Sequence, residues 1–98
     1  MPSYARRKDG THDLIRDTLA ALGWDMIDAY QFAQFDAGFP DLIALKGGKT
    51  VFVEVKTKSG KLTDDERKWR MVHPGAEHQV IRTAGECVLM DAKYRLAR

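Results

Sequence analysis

The stretch Asp41-Leu42-Ile43-Ala44-Leu45-Lys46-Gly47-Gly48-Lys49-Thr50-Val51-Phe52-Val53-Glu54-Val55-Lys56 decides the fold. From Thr50 to Lys56 the chain alternates, Val51, Val53 and Val55 against Phe52, Glu54 and Lys56, the period of a strand with two unlike faces. Asp41 to Lys46 reads as a second strand. Gly47-Gly48 lies between them, and two glycines supply the positive φ that a tight hairpin requires. The expectation is an antiparallel hairpin whose valine face packs on a helix. Glu54 and Lys56 then share the opposite face. Pairing across the turn brings Asp41, at the head of the partner strand, close to Glu54.

Upstream of the hairpin, Ala37-Gly38-Phe39-Pro40 breaks the chain. Residues 1–10 read as a flexible basic arm carrying Arg6, Arg7 and Lys8. Thr11 reads as an N-cap, and residues 12–22 as a helix with Ile15, Leu19 and Leu22 on one face and Gly23 as its stop. Trp24 to Tyr30 reads as a first strand. Downstream, Ser59-Gly60-Lys61 is a loop, and Thr63 opens a helix running to about Val72. Thr63-Asp64-Asp65-Glu66 has the form of a capping box. Pro74-Gly75 ends that region, His78 to Arg82 reads as a strand, and Thr83 with Glu86 marks a second capping box for a last helix. The order is α-β-β-β-α-β-α. Residues 11–98 are expected to form a single mixed α/β domain with a hairpin-rich central sheet.

Composition narrows the class without choosing a partner. Apolar residues make up 44% and charged residues 31% of 98 positions, which argues against disorder. No apolar run approaches the ~18 residues of a membrane span, and no apolar stretch follows the N-terminal basic residues as a signal peptide would require. A single Cys87 excludes an internal disulfide framework and fits a reducing compartment. These features lead to an expectation of a cytoplasmic protein. The net charge of +2 is small, but the cations are clustered: Lys46 with Lys49, and Lys56 with Lys58 and Lys61. Such clusters can contact phosphates. Lys46, Lys49, Lys58, Lys61 and Arg67 are the candidate DNA contacts.

Two carboxylates and one ammonium at one spot of a sheet suit phosphodiester hydrolysis. A divalent cation held by the carboxylates polarises a phosphoryl oxygen and acidifies water. Mg²⁺ prefers few carboxylates, with water and substrate oxygens completing its octahedron. A lysine can orient the attacking water or stabilise charge developing on the phosphate. Glu-Val-Lys on a strand is also a common solvent-face pattern, and a cross-strand ion pair with Asp41 needs no function, so the three residues alone do not carry the reading.

The flanks add specificity. Gly38-Phe39-Pro40-Asp41-Leu42-Ile43-Ala44-Leu45, followed by Val51-Phe52-Val53-Glu54-Val55-Lys56-Thr57-Lys58-Ser59-Gly60-Lys61-Leu62-Thr63, resembles the PD-(D/E)xK nuclease superfamily. Within it, the stretch from about Gly38 to Trp69 is similar to the virus-type replication-repair nuclease family, VRR-NUC. The resemblance implies a restriction-endonuclease-like core, a mixed central sheet flanked by helices. It implies Mg²⁺-dependent cleavage of DNA, with Mn²⁺ able to substitute. Asp41 and Glu54 would bind the cation, the backbone carbonyl of Val55 would be a further ligand, and Lys56 would serve the attacking water. Small stand-alone members of this kind resemble phage Holliday-junction resolvases and act as homodimers, which implies branched or junction DNA and a two-fold pair.

Two positions depart from the family pattern. The family carries a glutamate on its first helix, facing the metal, and this helix has none. Asp13 and Asp17 fall opposite the Ile15-Leu19-Leu22 stripe at ~100° per residue. His12 lies at the edge of that stripe and is favoured over Asp13 for the metal-side place, with a first-turn surface histidine as the plain alternative. On the second helix, Glu66 holds a position where the family often has glutamine, and Trp69 holds the aromatic one. Trp69 is expected in the core rather than as a stacking platform. Cys87 is expected in the core, and His73 and His78 lack zinc spacing. The missing glutamate leaves open a DNA-binding module that kept the fold and lost catalysis. The near-neutral charge leaves open an interaction protein with no nucleic-acid role.

Overall fold

A computed structural model describes residues 10–96. The basic arm expected at residues 1–10 therefore lies, except for Gly10, outside the described residues. In chain order the elements are α1 (Gly10–Ala21), β1 (Asp25–Asp28), a short 3-10 helix (Tyr30–Gln34), β2 (Leu42–Lys46), β3 (Lys49–Val55), α2 (Asp64–Val72), β4 (Glu77–Ile81) and α3 (Ala84–Leu96). Apart from the 3-10 helix, this is the expected α-β-β-β-α-β-α order.

The hairpin forms as its sequence requires. Gly47 and Gly48 take φ of 58° and 80°, the left-handed pair of a two-residue turn, and β2 and β3 pair antiparallel from Lys46↔Lys49 to Leu42↔Val53. β1 extends the sheet antiparallel on β2. β4, returning after α2, pairs parallel with β3. The order is β1-β2-β3-β4, a mixed sheet.

Both faces of the sheet are covered. Leu42, Ala44, Val51, Val53 and Ile81 pack against Ile15 and Leu19 of α1 and Cys87, Met90 and Tyr94 of α3. On the other face, Trp69 of α2 sits on Phe52 at a ring distance of 5.5 Å, with Phe39 closing the group at 5.2 Å from Trp69. Each edge-to-face pair adds ~0.5–1.5 kcal/mol beyond its buried area. Trp69 is thus a core residue, as expected, and its Nε1 donates to Asp36 Oδ2 at 3.1 Å. That bond ties the excursion between β1 and β2 to α2.

Four local expectations need correction. Helix α1 begins at Gly10, so Thr11 lies inside it rather than at its N-cap. The first strand is Asp25–Asp28, not Trp24 to Tyr30: Trp24 is drawn into the core, and the Ala29 N–H donates to the Asp41 carbonyl at 2.8 Å as the chain leaves the sheet. The fourth strand, expected at His78 to Arg82, lies one residue earlier, at Glu77–Ile81. The capping box of α2 is complete, but at α3 only half forms. There Glu86 N donates to Thr83 Oγ1, while the Glu86 carboxylate takes the Arg82 N–H instead of that of Thr83.

Candidate active site

The hairpin register delivers the first two residues. Leu42 opposes Val53, so one step further Asp41 lies across from Glu54 at the open end of the hairpin. Asp41 has just left β2, and its Oδ2 accepts the Val55 N–H at 2.8 Å, which fixes the carboxylate against β3. Glu54 faces away from the valine side, but not towards solvent. It is 4% exposed, because α2 and the excursion between β1 and β2 cover it. Lys56 follows on the same face, with Nζ 3.8 Å from Glu54 Oε2 and 2.8 Å from Glu66 Oε1. All four line one cleft of about 540 Å³, together with His12, Tyr30, Gly38, Thr57 and Thr63.

Glu66 is the residue that sequence reasoning undervalued. Its carboxylate accepts the Thr63 N–H at 2.8 Å as part of the capping box, and the same oxygen accepts from Lys56. One side chain thus starts α2 and holds the cleft lysine. No spacing in the sequence marks this double use, because the capping box alone accounts for a glutamate at that position.

The electrostatics follow from three carboxylates around one ammonium. Burial first, and then the Asp41 charge beside it, push the Glu54 carboxyl well above the ordinary carboxylate range. Protonated, Glu54 hydrogen-bonds both Asp41 and Glu66. Burial alone would raise Glu66, but hydrogen bonds from Glu54, Lys56 and the Thr63 backbone outweigh it and hold Glu66 below its usual range. Two adjacent carboxylates, Glu54 buried and Asp41 half-buried, the first keeping a proton because of burial and its neighbour's charge, form a donor set suited to a small divalent cation. Mg²⁺ is served by one or two carboxylates, with water and substrate for the rest. Among the described residues, no three His, Cys, Asp or Glu side chains form a ready-made cage.

His12 reaches the cleft wall and is 4% exposed, with Nε2 2.9 Å from Asp28 Oδ1 on β1 and its ring edge-on to Tyr30. It is not a first-turn surface histidine. Asp13 lies outside the cleft lining and pairs with Arg16 at 3.4 Å. Val55 lines the cleft.

The candidate DNA contacts divide. Lys58 and Lys61 are exposed on the loop that runs between Thr57 and Thr63 beside the cleft. Arg67 is exposed on α2 but engaged, its guanidinium donating to the Leu62 carbonyl at 2.7 Å and pairing with Asp64. Lys46 and Lys49 stand at the glycine turn, the far end of the hairpin, about 17 Å from Glu54 by the rise of a strand. There Lys46 has structural work. Its Nζ donates at 2.7 Å both to the Leu22 carbonyl and to Asp91 Oδ1, which also accepts from Trp24 Nε1. The Lys46 ammonium is the main reason that buried Asp91 stays below the usual carboxylate range.

Comparison with known proteins agrees with this geometry at the level of the family. A sequence model of the VRR-NUC domain matches residues 6–80. Neither the curated proteins nor the solved structures contain a significant match.

Proposed function

The chain belongs to the VRR-NUC family, a family of nucleases, and from that premise we propose that it is a Mg²⁺-dependent endonuclease that hydrolyses DNA phosphodiesters, with branched or junction DNA as the preferred substrate. The observation that carries the reading is the meeting of Asp41, buried Glu54 and Lys56 in one cleft beside exposed lysines.

Asp41 and Glu54 would hold the cation, and His12, oriented by Asp28, would take the place of the family's first-helix glutamate. A carboxylate on one ring nitrogen is the usual support of a ligating histidine. A cation held there would supply Lewis-acid chemistry, polarising a phosphoryl oxygen and acidifying water. Glu54 would bind it as the carboxylate, its proton passing to solvent. Lys56 donates to the attacking water or to the phosphate oxygen on which charge grows. Glu66 keeps the lysine aimed into the cleft. Lys58 and Lys61 hold the flanking phosphates.

With one such site per chain, cutting both strands of a junction favours a two-fold dimer, and the charge and composition suit a cytoplasmic protein. The test is incubation of the purified protein with labelled junction, flap and blunt duplex DNA, with Mg²⁺, Mn²⁺ or EDTA. Cleavage is expected with either metal and not with EDTA, fastest on branched DNA. Lys56→Ala is expected to lower the rate at least ~100-fold, as loss of a transition-state donor does, while DNA affinity persists. Metal-dependent cleavage surviving in Lys56→Ala would contradict the assignment. Tight binding with no cleavage under any metal would make the protein a DNA-binding module on a nuclease fold.

A further inference from the structure

The excursion between β1 and β2 carries more apolar surface than its own packing uses. Phe35 is 82% exposed and Phe32 45% exposed. In a 3-10 helix residues three apart eclipse, so Phe32 and Phe35, joined by a Phe35 N–H to Phe32 carbonyl bond of 2.9 Å, lie on one side of the segment. The segment is firmly anchored. Phe32 meets Phe39 edge-on at 5.6 Å, and Phe39 meets Trp69. Asp36 accepts from Trp69, and Gly38 lies so close to α2 that a Cβ there would meet the Asp65 carbonyl oxygen at 2.2 Å. The neighbouring side of the same segment, Tyr30, Ala33 and Ala37, lines the cleft that holds Asp41 and Glu54.

The two borders of this cleft have opposite chemistry. The segment from Asp25 to Leu45 contains no lysine or arginine but presents the phenylalanine ledge. The loop between Thr57 and Thr63 presents exposed Lys58 and Lys61. A single strand of nucleic acid has the matching division, phosphates along one side and flat apolar bases along the other. Cationic grooves with adjacent aromatic rings are how proteins hold unpaired strands.

We infer that Phe35, backed by Phe32, is a stacking platform for an unpaired base next to the scissile phosphate, so that the protein selects DNA carrying unpaired nucleotides. The inference rests on the proposed nuclease reading for its substrate but not for its test. In a paired duplex the base faces are covered by their neighbours, so the ledge gains nothing there. At a branch or flap an unstacked base can cover the ring.

The experiment measures binding of the full chain, in Ca²⁺, to a short single-stranded oligodeoxynucleotide containing 2-aminopurine and to a blunt duplex of the same sequence. Wild type is expected to bind the single strand and quench the 2-aminopurine. Phe35→Ala is expected to weaken single-strand binding about 5- to 150-fold, the ~1–3 kcal/mol of a base–aromatic stack at tenfold per 1.4 kcal/mol. It should also lose the quenching, with duplex binding changed less than about twofold. Phe35→Trp is expected to keep both affinity and quenching, and Phe35→Leu to lose the quenching. Because the ring is exposed, the melting temperature of all three variants should match wild type. Unchanged single-strand affinity and quenching in Phe35→Ala would overturn the platform. So would a wild type that does not bind the single strand, or a Phe35→Ala protein that changes from dimer to monomer in sedimentation, which would assign the ledge to a second copy of the chain. If wild type cleaves no DNA under any metal yet Phe35 governs stacking, the catalytic reading fails and the platform stands. If wild type cleaves and Phe35→Ala is indistinguishable from it, the platform alone fails.

Discussion

At the scale of the residue, the central fact is a glutamate that the fold buries before anything neutralises it. Glu54 is held protonated by burial and by Asp41. An unfolded glutamate ionises near pH ~4.3. Above that pH the unfolded chain releases a proton that the folded chain retains, so Glu54 makes the metal-free protein less stable as pH rises through neutrality. Glu66 acts with the opposite sign: its depressed value contributes stability above the ordinary range that is lost on acidification. The difference between wild type and Glu54→Gln in melts from pH 5 to pH 8 therefore isolates Glu54, since every other titrating group is common to both. Without metal, Glu54→Gln is expected to melt several degrees higher than wild type at pH 8, at ~4–8 °C per kcal/mol, with the gap closing towards pH 5. Mg²⁺ should raise the melting temperature of wild type at pH 8 and leave the variant unmoved. A gap between variant and wild type that fails to widen from pH 5 to pH 8 without metal would count against this picture of the site.

At the scale of the element, the site depends on how the chain between β1 and β2 seats on α2. Gly38 has φ of 87° and faces the Asp65 carbonyl, so no side chain fits without moving backbone. Gly38→Ala is expected to cost more than ~1 kcal/mol from the positive φ alone, and to lift the Phe39–Asp41 segment from its place. Circular dichroism melts and amide exchange of residues 35–41 would read this. A variant with wild-type stability and protection would show that the contact is dispensable. This level also marks how far the sequence could be read. The hairpin was legible because alternating valines and Gly47-Gly48 are local signals with one physical meaning. The Asp41–Glu54 meeting followed from that register. The 3-10 helix was not legible: residues 30–34 have no period of their own and are held by Tyr30 on His12 and by Phe32 on Phe39, which in turn packs on Trp69, distant in sequence. The buried state of Glu54 was missed for the same reason, since a Glu-Val-Lys strand pattern looks solvent-facing until the ring of Trp69, 15 residues further along the chain, covers the neighbouring Phe52.

At the scale of the whole molecule, the cations sort into two groups at opposite ends of the sheet. Lys58 and Lys61 stand exposed beside the cleft, whereas Lys46 bridges the end of α1 to Asp91 of α3. If only the first group meets phosphate, the salt dependence of DNA binding should say so, since each lost phosphate contact lowers the slope of log affinity against log salt by about 1. Lys58→Ala with Lys61→Ala is expected to reduce the slope by about 2. Lys46→Ala should leave the slope unchanged and instead lower stability by roughly 1–2 kcal/mol, the loss of a charge-assisted bond at a half-exposed position. A slope that falls with Lys46 and not with the loop lysines would mean that DNA follows the hairpin end of the sheet. Among the described residues no helix is long and apolar enough to cross a membrane, and both helical layers serve the sheet that carries the cleft.

A nuclease site here requires that Asp41 and Glu54 together hold a divalent cation. The most direct measurement is anomalous scattering from crystals soaked in Mn²⁺. One strong peak is expected in the cleft, within bonding distance of Asp41 and Glu54 and on the side facing His12, absent from Glu54→Gln crystals soaked in the same way. A peak away from both carboxylates, or one that persists undiminished in Glu54→Gln, would contradict that assignment.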